Sequence, residues 1–254
     1  MKRVLLLVLI LTISVFSLWT SVSCAEESNE YYWDYFLIYN LTYSQDIKYL
    51  ALSKNGTLMA VFLGNSSVLI YKNHILIGKH RAFGDIHIAG FSPSGKILYF
   101  EQEVPRKFVV INLTTGRVKE FDVKSRISVV AFTNDEKYIA LGGVRRSRGS
   151  PKNYIYLIDL EKGEILWTRS VVKDVHRILF AGKGKIVSLT TETFCEGCLK
   201  AKEKYIKYFN ITNGKVLLKV EREKYVEDIF LTDNPRELGV IYNHMHAKKI
   251  VKYL

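Results

Sequence analysis

The chain has 254 residues, 48% of them hydrophobic, with 4 Pro and a formal net charge of +12. That apolar content excludes a globally disordered chain, and the length suits one sheet-rich domain. The basic excess would suit an anionic partner, but it is spread along the chain, as expected of a solvated basic surface.

The first 25 residues have the order of a secretion signal. Lys2 and Arg3 form a basic start, and Val4 to Trp19 is an almost unbroken apolar run. Ser23-Cys24-Ala25 then places small residues where cleavage after Ala25 requires them. At 16 residues the run is short for a bilayer span, which takes about 20. A cleaved signal peptide over 1–25 and a mature domain over 26–254 are the expectation. An uncleaved anchor is one alternative. A lipidated Cys24 is another, against which stands Ser21 in the place where such signals carry Leu. The protein is therefore expected to be secreted or held at the cell surface.

Beyond the signal, two turn patterns recur in step. The first is an apolar residue followed by a turn, and it begins at Leu52, Phe91, Phe132, Phe180 and Leu231, with spacings of 39, 41, 48 and 51. The second is a strand ending in Asn or Asp, three residues, then Gly. It occurs at Asn112–Gly116, Asp159–Gly163 and Asn210–Gly214. Asn and Asp accept from their own turn amides, and Gly supplies the positive φ of a hairpin. Between the turns lie short segments rich in β-branched and aromatic residues, such as 96–100, 108–111, 137–141, 154–158 and 205–209. Each repeat thus carries four strands, a to d, in 40 to 50 residues, the pattern of a β-propeller blade.

The fold expected is all-β, a propeller of five four-stranded blades near 47–80, 86–123, 127–172, 175–220 and 226–254. The last of these lacks a strand d, and residues 35–42 precede Leu52 where such a strand should lie. They are expected to close the ring as the outer strand of the last blade, hiding an open edge. The longer third and fourth repeats carry polar inserts between strands b and c, at 144–153 and 194–203. Both inserts should emerge on one face of the disc.

Phe91-Ser-Pro-Ser-Gly-Lys-Ile-Leu98 resembles the a–b turn of a WD40-type blade, and Tyr156 to Trp167 is similar to a blade segment of the pyrroloquinoline-quinone type. The resemblance spans roughly 35–254 and implies a propeller fold with a habit of binding partners. No cofactor is expected, since the chain does not visibly provide the dedicated cofactor and calcium site of quinoprotein dehydrogenases. Fold alone does not give function.

Several residues are candidates for chemistry. Cys195 and Cys198 lie in the fourth-repeat insert, and in an exported protein a disulfide between them is the expectation. Their C-x-x-C spacing also allows a redox pair. A zinc site would need two further ligands. Asp46, Asp85, Arg126, Asp174 and Tyr225 stand six residues before the apolar anchors, so they should ring one mouth of the central channel. Lys48, His87, Ser128, His176 and Glu227 follow two residues later on the same strand face. Carboxylates gathered there, Asp46, Asp85 and Asp174 with His176, would suit a small glycosidase- or esterase-like hydrolase. The plainer reading is that they serve their turns. Arg145, Arg146 and Arg148 could grip an anionic group or simply solvate a loop. His244 and His246 read as an exposed hairpin. Asn40, Asn55, Asn65, Asn112 and Asn210 begin N-x-S/T sequons, which are either glycosylation acceptors or turn residues.

No Gly-rich phosphate loop, Gly-x-Ser-x-Gly elbow or H-E-x-x-H motif occurs. The leading expectation is a non-catalytic module that binds a protein or an anionic glycan or surface. The hydrolase and the C-x-x-C redox or metal role are the alternatives. Export argues against nucleic acid as partner, membrane contact would come only through the signal or anchor, and a propeller is expected to be a monomer.

Overall fold

The computed structural model describes residues 43–144, 153–171, 174–181, 185–191, 204–223, 226–231, 237–242 and 248–252. The signal segment 1–25, the candidate closing strand 35–42, Asn40, the Arg145–Arg148 loop, Tyr225, the Cys195–Cys198 pair and His244 to His246 lie outside them.

The described residues form strands grouped in antiparallel sheets, each a simple meander in chain order. Sheet one holds β1 (Ile47–Leu52), β2 (Leu58–Leu63), β3 (Ser67–Lys72) and β4 (Ile75–Arg81). Sheet two holds β5 (Ile86–Phe91), β6 (Ile97–Gln102), β7 (Lys107–Asn112) and β8 (Val118–Asp122). Sheet three holds β9 (Arg126–Phe132), β10 (Tyr138–Val144), β11 (Asn153–Asp159) and β12 (Glu164–Val171). Sheet four holds β13 (Asp174–Ala181), β14 (Lys185–Thr191), β15 (Lys204–Asn210) and β16 (Val216–Glu223). The last sheet has three strands, β17 (Val226–Leu231), β18 (Glu237–Tyr242) and β19 (Lys248–Lys252). The first strand of each sheet packs on the first strand of the next, β1 on β5, β5 on β9, β9 on β13 and β13 on β17. The opening strands therefore make an inner row and the fourth strands an outer one.

Between successive sheets lies one apolar layer. Phe62 and Ile70 of sheet one meet Leu98 and Phe100 of sheet two. Phe108 and Val110 meet Ile139, Leu141 and Tyr156. Ile155, Leu157 and Trp167 meet Val175, Ile186 and Phe209. Tyr208 and Ile206 meet Ile229 and Leu238. Middle strands are covered on both sides, which is why β10 is buried over Ile139–Gly143 instead of alternating. Sheet one also buries its other face, where Val61 and Leu63 cluster with Tyr71, Tyr43 and Ile47.

The turns work by local chemistry. In the a–b turns, Ser53, Ser92 and Thr133 donate their amides across the hairpin to Leu58, Ile97 and Tyr138 carbonyls. Gly56 and Gly95 take positive φ there, and in sheet three Glu136 does so at φ 54. In the c–d turns, Asn112, Asp159 and Asn210 each accept two amides from the following residues through Oδ1. Gly214 needs more than freedom of φ, whereas the neighbour of Gly163 is the movable end of Lys119. A Cβ at Gly214 would lie 2.7 Å from the Trp167 ring, and one at Gly163 would lie 2.9 Å from Lys119 Nζ. Sheet one lacks the Asn/Asp-x-x-x-Gly pattern and turns instead on Asn73 and His74, at φ 46 and 72, the primed geometry that matches strand twist.

Candidate binding face and its polar centre

In each meander, the connection entering strand a and the hairpin joining strands b and c lie at the same end of the sheet. These ends carry the residues expected around the channel mouth. Asp46 is exposed, and its carbonyl accepts from Gly64 N at 2.8 Å. Lys48 Nζ of sheet one reaches Asp85 Oδ1 at the entry to sheet two, 3.7 Å away, with both side chains well exposed. Ser128 Oγ donates to Val175 O at 3.0 Å, joining sheets three and four. Asp174 Oδ1 accepts from the buried Asn153 side chain at 2.8 Å. Arg126 and His176 are exposed. The candidate acids Asp46, Asp85 and Asp174 thus belong to sheets one, two and four. Two of them are held by side chains of adjoining sheets, a stitching role that turn chemistry alone did not suggest.

Of the charged cluster in sheet two, only His87 was among the sequence candidates. Glu101 and Glu103, at the end of β6, flank Arg106 from the following hairpin. Arg106 Nε lies 3.8 Å from Glu101 Oε1, and Arg106 Nη2 lies 3.8 Å from Glu103 Oε1. His87 Nε2 is 3.8 Å from Glu103 Oε2. Glu101 is completely buried, and its Oε2 accepts from Ile127 N of sheet three at 2.8 Å. Gln102 between them accepts from Phe83 N through Oε1, at 3.3 Å. The sequence carried one signal for this cluster: Glu101-Gln-Glu103 continues a buried run, Ile97–Phe100, where apolar residues should have gone on or stopped. Among the described residues, no group of three His, Cys, Asp or Glu is placed to hold a metal ion.

Above this polar base sit two exposed apolar residues. Phe83, in the connection into sheet two, is 45% exposed, and Val104, in the b–c hairpin, is 62% exposed. Val104 N donates to Phe83 O at 3.3 Å, which holds the two segments side by side. Gly84 lies between them at φ 74, and a Cβ there would come within 3.1 Å of Val104 N, so the approach needs glycine. The peptide bond Val104–Pro105 is cis.

Of the sequons within the described residues, Asn55 accepts from Thr57 N and Oγ1, and Asn65 accepts from Ser67 N. Both are exposed. Asn112 and Asn210 hold the c–d turns already described. In each case the bonding atom is Oδ1, and the amide nitrogen that would carry a glycan is outside these bonds.

No protein-family model matches this chain, and no curated protein matches it. Its fold is similar to a chain in the crystal structure of the mitotic checkpoint complex, with a TM-score of 0.53 and 12% identity. The match covers 82% of this chain and 62% of that one, so this chain spans less than two thirds of that chain's length. At that identity the likeness concerns the fold alone. With the antiparallel meander sheets, it supports a propeller-type architecture.

Proposed function

We propose that this chain is an exported, non-catalytic five-bladed propeller that binds a protein partner through the face carrying Phe83 and Val104. The observation that carries the reading is this pair of exposed apolar residues, held side by side by the Val104 N–Phe83 O bond over a buried charged base, on the sheet ends that also carry exposed Lys48 and Arg126. An apolar centre on a rigid support with a polar rim is the usual anatomy of a protein-binding surface. The rim's cations and the net charge of +12 favour an acidic partner, an anionic glycan being the variant of the same chemistry. The structurally similar chain belongs to a protein assembly, which fits a binding role.

Ring closure is part of this proposal. Val61 is fully buried on the face of sheet one turned away from sheet two, so that face needs a cover, and sheet five is the sheet left to supply it. The entry connections elsewhere take two to four residues between strands d and a. A strand over 35–42 would enter β1 with the same economy and give sheet five its fourth strand.

The test is affinity capture from membrane extracts with the mature protein and with Phe83→Asp. A specific partner lost on Phe83→Asp, with the unfolding midpoint unchanged, supports the face. An identical captured set sinks it. Failure of the protein to be exported would remove the cell-surface reading independently.

A further inference from the structure

The outer strands differ in a way that points to one more contact. β4 exposes three consecutive apolar residues, Ile75 at 69%, Leu76 at 41% and Ile77 at 48%, and then continues Gly78-Lys79-His80-Arg81. It carries no carboxylate, whereas β8 has Glu120 and Asp122, β12 has Glu164, and β16 has Glu221 and Glu223. Acidic or basic residues normally guard an edge strand along its length; here the guard is of one sign and confined to one end. β4 ends the hydrogen-bonded order of sheet one, so its outer backbone edge is unpaired among the described strands.

The chain contains a segment of the opposite character. Residues 26–34 read Glu-Glu-Ser-Asn-Glu-Tyr-Tyr-Trp-Asp, with acids first, aromatics after and no Lys, Arg or His. We propose that residues 26–34 dock antiparallel on β4 as a fifth strand of sheet one. In the register that sets Trp33 opposite Ile75, Tyr32 meets Leu76 and Tyr31 meets Ile77. Glu27 then stands opposite Arg81 and diagonal to Lys79. These four pairs are aromatic on aliphatic or carboxylate on cation, the combinations that stabilise cross-strand neighbours, while Glu30, Asn29 and Ser28 fall opposite Gly78, Lys79 and His80. The main chain supplies the binding and the side chains the register, as in other strand additions.

The path of the chain agrees. This inference rests on residues 35–42 forming strand d of sheet five. At the two seams beside sheet three, a d strand touches the c–d turn of the next sheet: Lys119 Nζ of β8 bonds Leu160 O and Glu161 O, and Arg169 of β12 bonds Asn213 O and Gly214 O. By the same rule a strand d over 35–42 starts beside the Asn73–His74 turn of sheet one, next to Ile75. Residues 26–34 would therefore arrive at the end of β4 that carries the apolar block. Nine extended residues reach about 30 Å, enough to run the length of this seven-residue strand.

Backbone hydrogen exchange of the mature chain, 26–254, tests the contact. Amides in 75–81 should exchange at least about tenfold more slowly than in a chain starting at residue 35, the scale of one strand's worth of protection. In the intact chain, Lys79→Glu with Arg81→Glu should remove that protection, and adding Glu26→Arg with Glu27→Arg should restore it. Equal exchange in the intact chain, the shortened chain and the charge variants overturns the proposal. So does protection that depends on protein concentration and survives removal of 26–34, which would make the occupant a second copy. The closing strand is read separately from 248–252. Those amides should stay protected in the chain starting at 35 and lose protection in one starting at 43. If they do not change, it is the closure that fails.

Discussion

The seams on either side of sheet three differ from the seam beyond sheet four. Between sheets two and three, polar ties run from the inner strands to the outer ones. Glu101 caps Ile127 N at the inner end. Glu136 takes Ser92 Oγ, Ser94 Oγ and Ser94 N across the a–b turns. Tyr156 Oη accepts from Lys124 N, and Lys119 grips the c–d turn outside. Between sheets three and four the set is repeated with other residues: Ser128 to Val175 O, Asn153 to Asp174, Trp167 Nε1 to Ile211 O and Arg169 to Gly214 O. Among the described residues, the seam between sheets four and five carries the exposed ion pair Arg177 with Asp228 at 3.6 Å, over the apolar layer of Ile206, Tyr208, Ile229 and Leu238. The difference lies in the c–d turn. At the two seams beside sheet three, the c–d turn of the next sheet folds against the neighbour's outer strand. Among the described residues sheet five has three strands and no such turn, and Val216, Leu217 and Leu218 of β16 are left 41% to 52% exposed.

The largest effect should come from the buried carboxylate. Glu101→Ala leaves the buried Ile127 N without its acceptor and takes one of the two carboxylates from beside Arg106, and should cost about 3 kcal/mol in urea denaturation. Glu101→Gln keeps an acceptor for the amide and should cost roughly half as much. Equal losses would mean that the charge on Arg106, not the amide, sets the need for Glu101. Next comes a matched pair on the two outer strands. Trp167 pairs with Leu157 on β12 as Leu218 pairs with Tyr208 on β16, but Trp167 is 7% exposed and Leu218 41%. Trp167→Ala should cost about 3 kcal/mol, and Leu218→Ala less than about 1 kcal/mol. If the two losses are alike, β16 is covered as β12 is.

What the sequence made legible was local. Asn112, Asp159 and Asn210 announce their turns because acceptor, amides and the positive-φ glycine all fall within five residues. Repetition of those turns then gave the strand order. What stayed hidden was the partner across a seam. Glu136 occupies a left-handed position that glycine fills in sheets one and two, and nothing nearby explains it. The reason is 42 to 44 residues away, in the serines its carboxylate holds. Glu101 was hidden for the same reason, since its acceptor role is set by Ile127. Asp46, Asp85, Arg126 and Asp174 lie at the entries to β1, β5, β9 and β13. Their partners on adjoining sheets, Lys48 for Asp85 and Asn153 for Asp174, could not be read from spacing.

The smallest predicted effect concerns the first seam, where an imidazole takes part. His80 of β4 stacks toward Phe100 of sheet two, with ring centroids 6.0 Å apart. Burial pushes its pKa below the ordinary 6.5, and Glu120 of β8 acts in the opposite direction. The folded protein therefore holds His80 neutral more firmly than the unfolded chain does. This contribution to stability is fully present above pH 6.5 and is lost as the pH falls through 6.5 toward the lowered folded value, because the unfolded state then binds the proton more readily. Thermal unfolding should show a shallow loss of Tm over that window, absent in His80→Phe. Glu120→Gln should deepen the loss, because it removes the charge that favours the imidazolium. A deeper loss in His80→Phe than in the parent would show that the acid sensitivity arises at another seam.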